Sequence, residues 1–420
     1  MFKFLHAADI HLDSPLDGLR NLDGLPADEV RGACRRALEG LVALAVAERV
    51  GFVLIAGDVY DGAWKDTNTG LFFGRQMARL HDEGIHVFLI RGNHDAQNKM
   101  TRDLVLPPRV HQFRTDRADS VALADFDVVV HGQGFASEKV IDDLSGGYPR
   151  ADPGAFNIGL LHTSADGRDP EHARYAPCSV DSLRSKGYQY WALGHVHTRA
   201  FLSERDPWIA FPGNVQGRHV REPGAKGCLV VTVDDRGDAT VRFEPLDVLR
   251  WATCRVDATG LPDRDEVLRR FQEEAARLAD SADGLPVAAR VEIRGRSPAH
   301  DDLAADRPGL DANIRAAAQL VGGGRFWVEK VRLATTAEGP DAWDGPGEDA
   351  IGVLLETLDA LRDDSPALVE LARDELSDLK RRLAGVDGDG LSDPDWLRSA
   401  IDEVRPLLLA RLLGPRPGRA

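Results

Sequence analysis

The sequence predicts a layered α/β domain, then a small α+β domain, then a helical C-terminal region. Three observations predict it. Up to residue 247, short apolar runs alternate with amphipathic helical stretches, as sheet-and-helix layers require. From Trp251 the order becomes strand, helix, strand, helix, strand. A Gly/Pro/Asp stretch, Glu338–Glu348, then interrupts the chain ahead of three more helix-like segments.

The elements justify themselves in order. Strand-like runs are Lys3–Ala8, Phe52–Ala56, His86–Ile90, Val128–His131, Ile158–Leu161 and Tyr190–Leu193. Glu29–Arg49 and Asn68–Glu83 carry helical spacing between them. Trp208–Phe211, Cys228–Val233 and Ala239–Phe243 come with turn residues and few helices, and read as antiparallel strands closing a sheet. Beyond them, Asp263–Ala279 and Leu310–Leu320 read as helices, and Val287–Ile293 and Phe326–Leu333 as strands. Three C-terminal helices are predicted at Asp349–Arg362, Pro366–Leu383 and Asp395–Leu413, with a frayed tail at 414–420.

With 420 residues, 43% of them hydrophobic, the chain can bury two or three cores. Cys34, Cys178, Cys228 and Cys254 form no CxxC pair, so a zinc ribbon or disulfide framework is not indicated and a reducing cytoplasm is expected. Asp9 and His11 interrupt any apolar leader, and runs such as Leu41–Ala47 are too short to span a bilayer. The formal net charge of −16 argues against coating nucleic acid through bulk charge. It leaves room for a metal-dependent nuclease, because bound cations reverse the local sign. Glu338 to Asp378 alone holds 13 acidic and 2 basic side chains.

Five short motifs stand at the ends of predicted strands: Asp9-x-His11, Gly57-Asp58, Gly92-Asn93-His94-Asp95, His162 in Leu-Leu-His-Thr, and Gly194-His195-Val196-His197. Ligands bind outside the carboxyl ends of strands in α/β sheets, so these side chains can converge. Carboxylate, imidazole and one amide oxygen suit manganese, iron or zinc, and not calcium or a thiolate site. Two metals roughly 3.5–4 Å apart need a shared ligand. Asp58 is the natural bridge, with Asp9, His11 and His197 completing one metal and Asn93, His162 and His195 the other. Alone, a strand histidine is ordinarily a core residue and a Gly-Asp pair an ordinary turn. Gly-Asn-His-Asp after an apolar strand is more specific, and the five motifs together outweigh the ordinary readings. His81, His86, His111, His131 and His172 lack such placement and read as structural or surface residues. Arg91 could contact phosphate, but reads rather as simply exposed.

The five motifs resemble those of the calcineurin-like metallophosphoesterases. Within that superfamily, Phe4-Leu-His-Ala-Ala-Asp-Ile-His-Leu-Asp-Ser14 resembles the SbcD-type DNA-repair exonucleases, closest to the branch called YhaO-like. The resemblance implies a two-sheet β-sandwich flanked by helices at 1–247, an α+β capping and DNA-recognition domain at 248–337, a linker at 338–348 and a helical region at 349–413. It implies metal ligands at Asp9, His11, Asp58, Asn93, His162, His195 and His197, and a catalytic His94 paired with Asp95. One departure stands out. Standard SbcD chains have Ser-Asp-x-His-Leu-Gly, whereas here Asp13 and Ser14 replace the glycine region.

The chemistry expected is attack on a phosphodiester by water activated between two divalent ions, manganese first, with iron or zinc as alternatives. His94 would stabilise charge and donate a proton to the leaving oxygen, with Asp95 orienting its ring. The alternative for His94 is a further metal ligand. Asn214, Gln216, Arg218 and His219 in the Gly-rich loop Phe211–Arg221 are candidate substrate contacts, or an ordinary solvated hairpin. Implied partners are DNA, an SbcC-like coiled-coil ATPase and a second copy of the chain in a homodimer, with no membrane. The competing readings are a small-molecule phosphodiesterase or phosphatase on the same core, and a non-catalytic scaffold. The intact ligand set opposes the scaffold.

Overall fold

The computed structural model describes residues 1–16, 18, 19, 30, 32–62, 68–97, 105–165, 175–337 and 350–375, with 393, 396–398, 400, 401, 404 and 408 beyond them. The linker at 338–348, the tail at 414–420, His172 and most of the third C-terminal helix lie outside the described residues. The chain divides into two compact units. The first holds Met1–Thr253, Leu278–Arg290 and Gly322–Lys330; the second holds Cys254–Arg277, Val291–Val321 and Val331–Ala420.

In the first unit the strands β1 (Phe2–Ala7), β2 (Phe52–Ile55), β3 (His86–Leu89) and β4 (Val110–Gln112) run parallel. The helices α1 (Ala33–Glu48) and α2 (Asn68–Asp82) make the first crossovers, and the short α3 (Asn93–Gln97) follows β3. A second sheet is built from β5 (Asp119–Leu123), β6 (Val128–Gln133), β7 (Phe156–His162), β8 (Tyr190–Gly194), β9 (Ala200–Glu204) and β10 (Trp208–Phe211), with α4 (Val180–Arg184) between β7 and β8. The antiparallel β11 (Gly227–Val233) and β12 (Ala239–Pro245) return to the first sheet. The sheet orders are β12-β11-β1-β2-β3-β4 and β5-β6-β7-β8-β10-β9.

The apolar runs read as fully buried strands because both faces are covered. Phe4, Phe52, Leu54 and Phe88 face a core shared with Val130, Ile158, Leu160 and Tyr190 of the second sheet. Their neighbours Leu5, Val53, Ile55, Val87 and Leu89 face α1 and α2, against Leu38, Leu41, Phe73 and Met77. Side-chain alternation with period 2 thus feeds two cores from one strand. The expected antiparallel closure holds for β11 and β12 but not for β10, which lies parallel to β8 in the other sheet and antiparallel to β9. The chain crosses between sheets there, which local pattern does not encode.

The remaining sheet has β13 (Arg250–Asp257), β14 (Val287–Ser297) and β15 (Phe326–Ala337) in that order. Between its strands lie α5 (Arg264–Asp280), α6 (His300–Ala305) and α7 (Arg307–Ala318). After them come α8 (Ala350–Asp363) and α9 (Ser365–Glu375). No helix among the described residues is long and apolar enough to cross a membrane. All four cysteines are buried and none is in a disulfide.

Candidate metal centre

Each site side chain follows the carboxyl end of a strand. Asp9 and His11 come after β1, Asp58 after β2, and Asn93 and His94 open α3 after β3; His162 ends β7, and His195 and His197 follow β8. The first two loops are laced together by backbone bonds, Asp9 N to Gly57 O at 3.1 Å, His11 N to Asp58 O at 3.0 Å and Leu12 N to Val59 O at 2.8 Å. Asp9, His11, Asp58 and His195 all take positive φ, at 51°, 46°, 50° and 101°. Non-glycine residues rarely do so, and such strain persists only where surroundings over-determine it. Two glycines are required by contact. A Cβ on Gly57, itself at φ 91°, would lie 2.5 Å from His162 Nδ1, and one on Gly92 would lie 2.2 Å from Asp58 Oδ1.

Three overlapping groups result, Asp9–His11–His197, His11–Asp58–His94 and Asp9–Asp58–His162, each with ligand atoms within 4.8 Å of one another. His11 Nε2 lies 3.1 Å from His197 Nε2. His162 Nε2 lies 3.0 Å from Asn93 Oδ1 and 3.5 Å from Asp58 Oδ2. Asp58 therefore stands between the two clusters, with its other oxygen accepting from His94 N at 2.9 Å. His195 donates its backbone N–H to both oxygens of Asp9, and its ring meets that of His162 edge-on at 5.2 Å.

The donor set fits cations. His162 Nδ1 is 2.8 Å from Ala56 O, a carbonyl that can only accept, so that nitrogen carries the proton. The lone pair on Nε2 then faces two oxygens, Asn93 Oδ1 and Asp58 Oδ2. Likewise His197 Nδ1 donates to Glu222 Oε1 at 2.7 Å, which turns its Nε2 lone pair toward His11. Buried acceptors converging on acceptors need positive charge between them. The protonation behaviour agrees. Burial, reinforced by the Asp58 charge, pushes the Asp9 carboxyl up to about 8. Burial alone would lower His162, but the Asp58 and Asp9 carboxylates raise it to about 9. Protons there do what a cation would do. Burial and the Arg218 charge lower His11 to about 3, leaving the neutral imidazole that metal coordination needs.

Several expectations are changed by the geometry. The Asp95 carboxylate does not orient the His94 ring. It accepts the backbone N–H groups of Val59, Tyr60 and Gly92 at 3.2, 3.0 and 3.0 Å, tying the second and third loops together. The carboxylate facing His94 is Asp61, with Oδ1 3.4 Å from His94 Nδ1 and 3.5 Å from His11 Nδ1. Burial would raise the Asp61 carboxyl, but the hydrogen bond from His11 and nearby positive charge hold it well below the usual range. Gln216 makes its bonds within the protein, to Gly217 O, Leu249 O and Val248 N, and Asn214 gives its amide hydrogens to Gln216 O and Glu222. Neither is placed to contact substrate. Arg218 is paired with Glu222 and Asp61, while His219, about 29% exposed, sits 3.5 Å from Glu222. Arg91 is buried and donates to Asp95 O.

Sequence reasoning missed Asp61, Glu222 and Lys226, whose Nζ donates to His197 O at 2.8 Å. For Asp61 a signal existed, a second carboxylate three residues after Asp58 in one loop. Glu222 had none, since its partner His197 is distant in sequence. A carboxylate behind a metal-facing histidine fixes its tautomer and orientation.

Comparison with known proteins agrees with this geometry. Residues 2–199 match the calcineurin-like phosphoesterase family, and residues 251–336 match the middle domain of metallophosphoesterase YhaO. The chain is 31% identical over 298 residues to metallophosphoesterase YhaO of Bacillus subtilis, covering 70% of this chain and 72% of that protein. It is also similar to the DNA double-strand break repair protein Mre11 of Aeropyrum pernix, 25% identical over 84% of this chain and 86% of that one. The Mre11 of Methanopyrus kandleri is 23% identical, over 91% and 86%. The chain therefore belongs to the calcineurin-like metallophosphoesterases and is a phosphodiester hydrolase.

Proposed function

We propose that the chain is a DNA exonuclease of the SbcD type, using two manganese ions and working with an SbcC-like coiled-coil ATPase. The observation that carries the hydrolytic part is the convergence of His162, Asn93 and Asp58 lone pairs beside the Asp9–His11–His197 cluster. Similarity to Mre11 proteins over most of both chains supports DNA as substrate.

Asp9, His11 and His197 would hold one cation, Asn93, His162 and His195 the other, with Asp58 shared. When bound, the cations would supply charge for the scissile phosphate and lower the pKa of a water. The chain supplies the rest. His94 is about 34% exposed at the rim, with Nδ1 toward Asp61. That leaves Nε2 to carry a proton to the leaving oxygen, while Asp61 steadies the ring. Arg218, held by Glu222 and Asp61, contributes positive charge from behind the site.

Partner docking is assigned to the C-terminal helices, on altered grounds. Of the stripe Leu354, Leu355, Leu358 and Leu361, Leu355 is buried, Leu354 and Leu358 are half-buried, and Leu361 packs against Leu368, Ala372 and Leu397. Among the described residues of these helices, the exposed large apolar side chains are Val353, Leu371, Trp396 and Val404, and these are the ones offered to a partner.

The test incubates purified protein with manganese or magnesium and end-labelled single- and double-stranded DNA, beside bis-p-nitrophenyl phosphate and cyclic nucleotides. Nucleotide release from DNA, stronger with manganese, is expected. Turnover of cyclic nucleotides with intact DNA would instead establish the small-molecule phosphodiesterase.

A further inference from the structure

We infer that Asp13 is a positioning residue for the metal centre, holding the loop that carries His11 against two helices. The inference rests on His11 being a metal ligand.

Asp9, His11 and Asp13, three alternate residues, take left-handed backbone conformations, with Asp13 at φ 62°. Residues other than glycine seldom adopt this conformation, and aspartate does so where its side chain is bonded nearby. It is used fully. Arg35 Nε donates to Asp13 Oδ1 at 2.6 Å and Arg35 Nη2 donates to Oδ2 at 2.5 Å, a two-pronged pair. Thr69 Oγ1 donates to Oδ2 at 2.6 Å. Arg35 belongs to α1 and lies over the Phe72 ring of α2, 5.0 Å from its centroid, and Thr69 lies in the first turn of α2.

The loop is therefore held from two directions. Asp9, His11 and Leu12 are laced to the Asp58 loop, and Ser14 N closes a turn on His11 O at 3.0 Å. The backbone bonds to that loop end with Leu12 and the Ser14 side chain adds a hydrogen bond to Asp61, while Asp13 supplies the anchor to the helices. A metal ligand must be kept within about 0.5 Å of its productive position. Asp13 and Arg35 side chains are 29% and 32% exposed, so solvent screens their attraction and their effect is chiefly geometric.

The test uses the full chain loaded with cobalt(II) and with manganese. Asp13→Ala should change the cobalt visible absorption and weaken manganese binding by about 10–100-fold. It should lower kcat on bis-p-nitrophenyl phosphate while KM stays within about twofold. Thr69→Val should act in the same direction, less strongly, and add nothing to Asp13→Ala. An Asp13→Ala protein with unchanged cobalt spectrum and manganese affinity, even if less heat-stable, overturns the inference. Should Asp13→Ala fail to fold, Thr69→Val and Arg35→Lys are read the same way, and unchanged spectra in both overturn it. A wild-type chain that takes up no cobalt or manganese would defeat the metal reading itself, and this inference with it.

Discussion

His94 and Asp61 illustrate how one residue's work depends on another's position. His94 stands at the rim with Asp61 behind its ring at 3.4 Å. Removing the proposed acid in His94→Ala should lower turnover by ~10²–10⁴-fold and leave both metals bound. Asp61→Asn should cost about 10–100-fold, as groups that orient a functional ring do. Rate and metal content must be measured on the same samples. Loss of a metal equivalent in His94→Ala would make His94 a ligand, a role its grouping with His11 and Asp58 also allows. Asp58 lies between the clusters, so Asp58→Asn should lose more metal than His197→Ala by elemental analysis. Equal losses would remove its bridging role.

At the scale of elements, the site depends on loops packed too closely for any extra atom. Gly92→Ala would drive a Cβ into Asp58. The expected result is destabilisation of about 1–3 kcal/mol from overpacking, together with lost metal binding. Denaturant unfolding and metal analysis would check both, and a variant with normal metal content would show that the loops can part. The C-terminal helices make a separate element-scale prediction. A chain ending at Thr336 should remain soluble and cleave bis-p-nitrophenyl phosphate with manganese at near-normal rate, but not bind the ATPase. An insoluble product, or undiminished ATPase binding, would show instead that α8 and α9 buttress their own chain.

For the whole molecule, pH dependence follows from the core as well as from the site. His6 is fully buried, bonded to Tyr190 Oη and Leu193 O, and burial lowers its pKa from 6.5 to about 3. The unfolded chain therefore binds the His6 proton more readily than the folded one between those values. Its contribution to stability is present above pH 6.5 and is lost as pH falls toward 3, at up to about 1.4 kcal/mol per unit. His6→Gln should flatten the fall of unfolding free energy over that range, measured by denaturant titration. An unchanged slope would show that other groups dominate acid unfolding.

What the sequence by itself determined is local. Runs such as Phe52–Ile55 and Val87–Leu89 are apolar throughout because both faces are buried, so their strand character was legible without partners. The ligand candidates were legible for a related reason. Each is a polar residue beside a glycine or at a strand end, where loop chemistry interrupts an apolar run. Tertiary structure decided what depends on distant pairing. It placed β10 beside β8 rather than in the first sheet, brought Glu222 behind His197, and gave His94 the Asp61 carboxylate while Asp95 turned to backbone amides. These are choices among chemically equivalent partners. Every nearby carboxylate can accept from an imidazole, and only the packing of two sheets on one another settles which is within reach.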